Sequence, residues 1–481
     1  MNHSTALKHP LARGVILLIL AGMALTACGP QTTVTPTEAT PEVTAEPARS
    51  TATRAPVATP TPSRPAHLDV DGAALSGTVV RVVHPWVGEM ADLLDSLAMQ
   101  FSLSNEWDIW VEMDPVGSET MVVDSLRADI INANLPGIVV SEPYLLDELN
   151  GQLVTINLLD YYNDPTWGLS AEAQADIRDV FLSPYLSDEG LSALPVAPQA
   201  TLFFYNQTWA QELGFAGMPA TLPDLQRMFC DAAYENNRDG EDRNDGTGGW
   251  MVNLDPNVLL SWYSAFGGEL DPLDLPEFNN EAGQAAYGFL EQIRATGCAW
   301  ESVNDYPYEY FANRLTILFA GQTGQIPALK NWMDSSGSTD LWTVAPFLGT
   351  TESPVLVDGP ALQMVANTPE TQMASWLFMR YLLSPEVQAQ LVEAGYSIPV
   401  RDSALSLLED FAVQNPQWLQ AYQYTMNAEA APVSAEWGLK QWVLQDAIHR
   451  LLQLDVNDEL KPADVLQEVD AVMEELEGTT P

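Results

Sequence analysis

Basic residues are scarce: 19 Lys and Arg stand against 65 Asp and Glu, a formal net charge of −46 over 481 residues. So acidic a surface repels phosphate backbones and anionic lipid headgroups, which argues against nucleic acid as a partner and against a basic membrane patch. Histidine is scarce too. Of five, His3, His9 and His67 accompany the N-terminal segments, leaving His84 and His449 in the body, so a histidine-built metal site is not expected. Nucleophile elbows, zinc-binding helix motifs, phosphate loops and dinucleotide-binding turns are all missing. No catalytic residue, metal or cofactor is therefore assigned. With 65 acids, close carboxylate pairs arise by chance and do not by themselves argue for glycoside hydrolysis. The stretch from Asn237 to Gly246 (NRDGEDRNDG) has the look of a calcium loop. Arg interrupts its ligand positions and no Glu closes twelve residues, so a solvated turn is the expectation.

The apolar run Val15–Leu25 follows Lys8 and Arg13. It is too short to span a bilayer, which takes ~20 residues, but suits a signal peptide over residues 1–27. It ends in Leu25-Thr26-Ala27-Cys28, resembling the processing site of bacterial lipoproteins, so Cys28 is expected to carry lipid. Residues 28–75 are expected to form a tether. Pro30–Pro65 holds 8 Pro and 10 Thr in 36 residues and cannot bury enough apolar surface to offset its ordering entropy. The expected location is the cell surface or periplasm, anchored to the outer face of the cell membrane. Besides Cys28 only Cys230 and Cys298 remain. In an exported chain they most economically pair; two separate buried thiols are the alternative.

From Gly77 onward, short β-branched runs alternate with amphipathic helices. Thr78–Val83, Ile109–Met113 and Ile138–Val140 read as strands. Helical spacing appears from Met90 to Phe101, Val122 to Ile131, Ala282 to Ala295, Gln372 to Leu383 and Ala463 to Leu476. Strands alternating with helices imply parallel pairing with crossovers, and open α/β sheets bind ligands at the carboxyl ends of their strands. Aromatics are plentiful: 14 Trp, 15 Tyr and 14 Phe. Trp86, Tyr144, Trp262, Tyr396 and Trp437 lie in loop-like contexts, where rings could stack on sugars beside carboxylates. For any single ring, core packing is the competing explanation.

An ordered series of segments carries a family likeness: Leu194-Pro195-Val196 with Leu202-Phe203-Phe204-Tyr205-Asn206, Pro219-Ala220-Thr221 with Leu225, and Ser261-Trp262 with Phe266-Gly267-Gly268-Glu269. It continues with Phe319-Ala320-Gly321-Gln322, Trp342-Thr343-Val344-Ala345-Pro346, Ala374–Leu383 with Ser384-Pro385-Glu386, and Gly395-Tyr396-Ser397-Ile398-Pro399-Val400-Arg401. From about Gly77 to Leu476 the chain resembles the extracellular solute-binding proteins of bacterial ABC importers, in particular the sugar-binding group that includes maltose-binding protein. The usual Trp after Pro219-Ala220-Thr221 is absent, and Gln322-Thr323-Gly324-Gln325 departs from the usual Ala-Met.

The resemblance implies an α/β, two-lobed periplasmic-binding-protein-like fold, each lobe a mainly parallel sheet flanked by helices, joined by three hinge crossings. These would fall near Leu194–Pro198, Ala345–Leu348 and Tyr396–Val400. One lobe would comprise residues 76–194 plus 350–395, the other 198–345 plus 400–477. It further implies a non-enzymatic protein that captures a sugar or oligosaccharide and hands it to importer permease subunits. A polyamine, a peptide or a glycerol phosphodiester on the same fold, and a secreted glycoside hydrolase, are the alternatives. By position, Trp86, Glu119, Glu142 and Asp358 from the first lobe, with Tyr205, Trp262, Trp332, Tyr396, Arg401 and Trp437 from the second, are the expected ligand-binding residues.

Overall fold

A computed structural model describes residues 65–476 except 148, 150, 303–305, 351–352 and 454–459. The signal peptide, Cys28 and tether residues 29–64 lie outside the described residues; residues 65–75, expected in the tether, instead form two short helical turns, Ala66–Leu68 and Gly72–Leu75, because Leu68 and Leu75 are buried in the core. Val79–His84, Trp110–Pro115 and Ile138–Ser141 run parallel at one side of a five-stranded sheet. Its other two strands, Ala361–Met364 and Leu194–Pro195, come from distant sequence and pair antiparallel. Helices Glu89–Ser104 and Pro369–Leu382 cover one face, and Leu94, Leu97, Phe101, Trp376 and Phe378 are buried there against Val80 and Val82. Helix Pro369–Leu382 is buried nearly all round because it is sandwiched in that core, as its apolar run Trp376–Met379, flanked by Met373 and Ala374, requires.

A seven-stranded sheet is organised around Gln199–Asn206. This long strand runs antiparallel to Thr316–Gln322, Trp342–Ala345 and Val355–Asp358. The parallel pairs here are Gly248–Met251 with Thr316–Gln322 and with Ala299–Trp300, and Val355–Asp358 with Ala428–Ala430. Both faces are covered, so strands such as Leu202-Phe203-Phe204 are apolar without alternation. Cys230 in helix Leu222–Asn236 is bonded to Cys298 just before strand Ala299–Trp300.

Three passages connect the sheets. The first is Val196–Pro198, between strands Leu194–Pro195 and Gln199–Asn206. The second was expected at Ala345–Leu348, but Val355–Asp358 still pairs with Gln199–Thr201 in the larger sheet. The chain passes only at Gly359-Pro360, where Gly359 takes φ +142, which a side chain rarely tolerates. The reason is a strand of four residues, Val355–Asp358, that no period in the sequence marks. The third passage follows Tyr396, and Ile398 N–H donates to Pro198 O at 2.7 Å, stitching it to the first. Among the described residues no helix is long and apolar enough to cross a membrane.

Candidate functional site

The carboxyl ends of strands in both sheets meet at one seam. Glu119 begins helix Glu119–Asn132 after strand Trp110–Pro115, with Ser118 as its N-cap. Glu142 follows strand Ile138–Ser141, and its backbone N–H donates to Glu119 Oε2 at 3.3 Å. Across the seam, Asp358 ends strand Val355–Asp358. Its carboxylate accepts from Asn257 Nδ2 at 2.5 Å and from Gln322 Nε2 at 2.8 Å and 3.0 Å. Asp255 caps helix Pro256–Ala265, accepting from Asn257 N–H at 2.9 Å, with Pro256 at the first helical position.

These carboxyl groups are costly to ionise where they sit. Burial pushes Glu119 up to about 7, against the single opposing hydrogen bond from Glu142. Asp358 is also pushed to about 7, by burial and by the charge of Asp255, despite its Gln322 and Asn257 donors. Burial, then Asp358, then Glu119 raise Glu142 well above the carboxylate range. Asp255 is raised by burial.

Beside this seam lies a cavity of about 480 Å³. Asn253 and Asp255 line it from the end of strand Gly248–Met251, Glu301 and Gln325 from neighbouring loops, and Gln445 and His449 from helix Trp437–Leu452. Asp255 and Gln325 join cavity to seam: Asp255 acts on Asp358, and Gln325 Oε1 accepts from Gln322 N–H at 3.3 Å. The same helix receives the other lobe. Tyr144 is hydrogen-bonded to the Gln441 side chain and packs so close to Gly438 that a Cβ there would lie 3.2 Å from its ring. Gly438, Gln441, Gln445 and His449 follow helical spacing along one face, so the contact that closes the lobes and the cavity wall share that face.

Of the expected residues, Glu119, Glu142 and Asp358 are brought together, while Trp86 packs half-buried against the first core, its ring 5.9 Å from His84. Three of the rings expected from the second lobe are buried in its core. Trp262 is fully buried among Phe203, Phe289 and Phe347 at 5.2–5.7 Å between centroids. Tyr205 and Trp437 are buried in the same core. Trp332 stands 41% exposed on helix Ile326–Ser336. Tyr396 donates from its hydroxyl to Asn415 at 2.9 Å. Arg401 is drawn to Asp176 at 2.6 Å. An apolar interior at this density absorbs rings whose neighbours along the helix are also apolar, and Trp262 sits in the run Val258–Ala265, every residue of which is buried. The loop Asn237–Gly246 is a turn bonded to itself: Asn244 Nδ2 donates to Asp239 at 2.7 Å and Gly246 N–H to Asn237 Oδ1 at 3.0 Å.

The architecture agrees with known proteins. Residues 98–421 match the family described as bacterial extracellular solute-binding protein. The chain belongs to that family. This solute-binding protein shares its fold with a cyclic α-maltosyl-1,6-maltose binding protein from Arthrobacter globiformis, at 18% identity and TM-score 0.68 over 83% of this chain and 99% of that one. UgpB from Mycobacterium tuberculosis, solved with glycerophosphocholine, gives 16% identity and TM-score 0.67 over 84% and 99%. The sugar-binding protein MalE from Xanthomonas citri gives 19% and 0.66 over 83% and 98%. No curated protein sequence matches the chain. Tyr144 was singled out as an aromatic in a loop-like context, but it lies in the short helix Pro143–Asp147; Gln322 and Gln325 were noted only as a departure from the family pattern, and Asp255 and Asn257 were missed. The signal was present in Asp255-Pro256, an Asx cap before a proline directly after a strand.

The raised carboxyls set a pH dependence. In the folded protein Glu119 keeps its proton to about pH 7, whereas unfolded it loses it near pH ~4.3. Between those values the folded state holds a proton the unfolded state lacks, so stability falls as pH rises through the window. Glu119 alone is worth on the order of 3 kcal/mol across it. The unliganded protein is expected to melt higher at pH 5.5 than at pH 8, and the double variant Glu119→Gln/Asp358→Asn to lose part of that difference, the part that Glu142 and Asp255 contribute being kept. His84, buried with neither ring nitrogen partnered and pushed down by burial, acts oppositely below about pH 6.5 in both proteins. Equal slopes for the two would rule out Glu119 and Asp358 as the cause.

Proposed function

We propose that this protein is the lipid-anchored capture component of a bacterial ABC importer. Cys28 carries the lipid, and the Pro/Thr-rich tether holds two lobes, residues 76–195 plus 361–395 and 199–358 plus 408–476, off the membrane. One polar solute is enclosed between the lobes and presented to the permease; no bond in it is broken. The observation that carries this reading is the cavity of about 480 Å³ at the carboxyl ends of the strands, walled on one side by the helix that Tyr144 of the other lobe grips. Its volume falls in the ~300–1,000 Å³ range of small-molecule sites. Its side chains donate and accept hydrogen bonds, as a hydroxyl-rich guest requires, and a carbohydrate or an amino-bearing relative fits that lining best. Lobe closure on the guest follows if the guest binds the closed form better than the open one.

The test is a thermal-shift screen of the folded protein against mono- and disaccharides, amino sugars, polyols and short peptides. A ligand at 100 times its Kd adds about 2.7 kcal/mol to stability. Saturable stabilisation by one chemical class, with the compound recovered intact, is expected. Conversion of any compound, or stabilisation by none, would overturn the reading.

A further inference from the structure

Tyr144 belongs to the first lobe by chain position, in helix Pro143–Asp147 directly after strand Ile138–Ser141. Its side chain nevertheless packs, half-buried, against the core of the second lobe, the cluster that holds Trp437, Leu444 and Ile448. In the helix it meets, Trp437–Leu452, Gly438 is the one residue without a side chain. A Cβ added at Gly438 would stand 3.2 Å from the Tyr144 ring, 3.8 Å from its carbonyl oxygen and 3.9 Å from its Cβ, and these three nearest atoms all belong to Tyr144. Glycine in a helix weakens it relative to alanine. The backbone does not require one here, since Gly438 takes no positive φ. What the missing side chain supplies is therefore room for a ring from the other lobe. Gln441 Nε2 donates to Gly438 O at 3.4 Å beside that ring, and Gln445, four residues on along the same face, lines the cavity.

Resting on the solute-capture reading, we infer that Gly438 is a notch in which Tyr144 seats, and that this pair sets how much of the protein is closed before any solute arrives. Neither residue lines the cavity, so both are positioning residues: they act on the solute through the approach of the lobes. A solute gripped by the closed form alone is held with an affinity reduced by the fraction of molecules that stand open. The notch thus tunes capture while every contact to the guest stays the same.

The experiment is small-angle scattering from the full folded protein with no solute added. It compares the parent with Gly438→Ala, Gly438→Leu, Tyr144→Ala and the double variant Gly438→Leu/Tyr144→Ala, the tether being common to all. Alanine and leucine both favour a helix over glycine, so helix content by circular dichroism is expected to hold. The radius of gyration is expected to rise from parent to Gly438→Ala to Gly438→Leu as the added side chain meets the ring. Removing the ring is expected to rescue compaction: the double variant returns to the radius of Tyr144→Ala, below that of Gly438→Leu. Should Gly438→Leu fail to fold, Gly438→Ala with and without Tyr144→Ala carries the same comparison. A glycine needed only for its own helix would leave the double variant as expanded as the single one, because the two changes would then act independently. That result, or a parent-like radius for Gly438→Leu, would overturn the inference. No solute enters the measurement, so its failure leaves the capture reading to the thermal-shift screen, and a screen without hits leaves these radii unchanged.

Discussion

Trp262→Ala is expected to cost about 3–5 kcal/mol of stability, the range for truncating a large buried ring. Trp262 is fully buried and touches Phe203, Trp250, Phe266, Phe289 and Phe347 through their rings, so truncation leaves a void that surrounding rings cannot collapse to fill. Its indole N–H has no partner. Trp262→Phe removes that uncompensated donor along with some volume, and the two effects oppose, so it should cost only about 1–2 kcal/mol. Urea midpoints with an unchanged m-value would measure both. A ring that instead served as a stacking platform would give the reverse pattern: solute affinity lost in Trp262→Ala with the midpoint hardly moved. That outcome would return Trp262 to the cleft.

Opening the Cys230–Cys298 bond should be nearly as damaging. The bond closes 68 residues of chain, and the loop-closure entropy it removes from the unfolded state is worth about 4 kcal/mol. That loop contains strand Gly248–Met251, helix Pro256–Ala265 and helix Glu281–Ala295, so the constraint acts on the wall of the cavity. Cys230→Ala/Cys298→Ala is expected to lower the thermal midpoint by several degrees or more. Dithiothreitol should bring the parent protein to the same value and leave the variant unmoved. A parent protein insensitive to reductant would mean that the bond contributes nothing to holding that wall.

How much of this could be read without coordinates varied with the range of the forces involved. Helix Glu281–Ala295 and helix Pro462–Leu476 lie within a residue of their expected spans, because amphipathic spacing is a local property of the chain. Strand Val355–Asp358 was not expected at all; four residues carry no period, and only pairing with Gln199–Thr201 and with Ala428–Ala430 makes them a strand. Glu119 and Glu142 were reachable because the family likeness maps them by position, Glu142 directly after strand Ile138–Ser141 and Glu119 at the start of the helix that follows strand Trp110–Pro115. Asn257 and Gln322 matter through Asp358, 101 and 36 residues away, and no local pattern records that.

The aromatics divide along the same line. Composition established that rings are abundant, but burial is decided by what surrounds a ring in three dimensions. Tyr205 and Trp437 went to the core because strand and helix faces there pack against other apolar faces. Sequence by itself determined the acidic charge, the family likeness and the order of strands and helices, since composition and periodicity are carried residue by residue. The tertiary structure alone decided that Glu119, Glu142 and Asp358 come together at the seam while Trp262, Tyr205 and Trp437 are buried in the core, because desolvation and charge depend on distances between segments that the chain order leaves free.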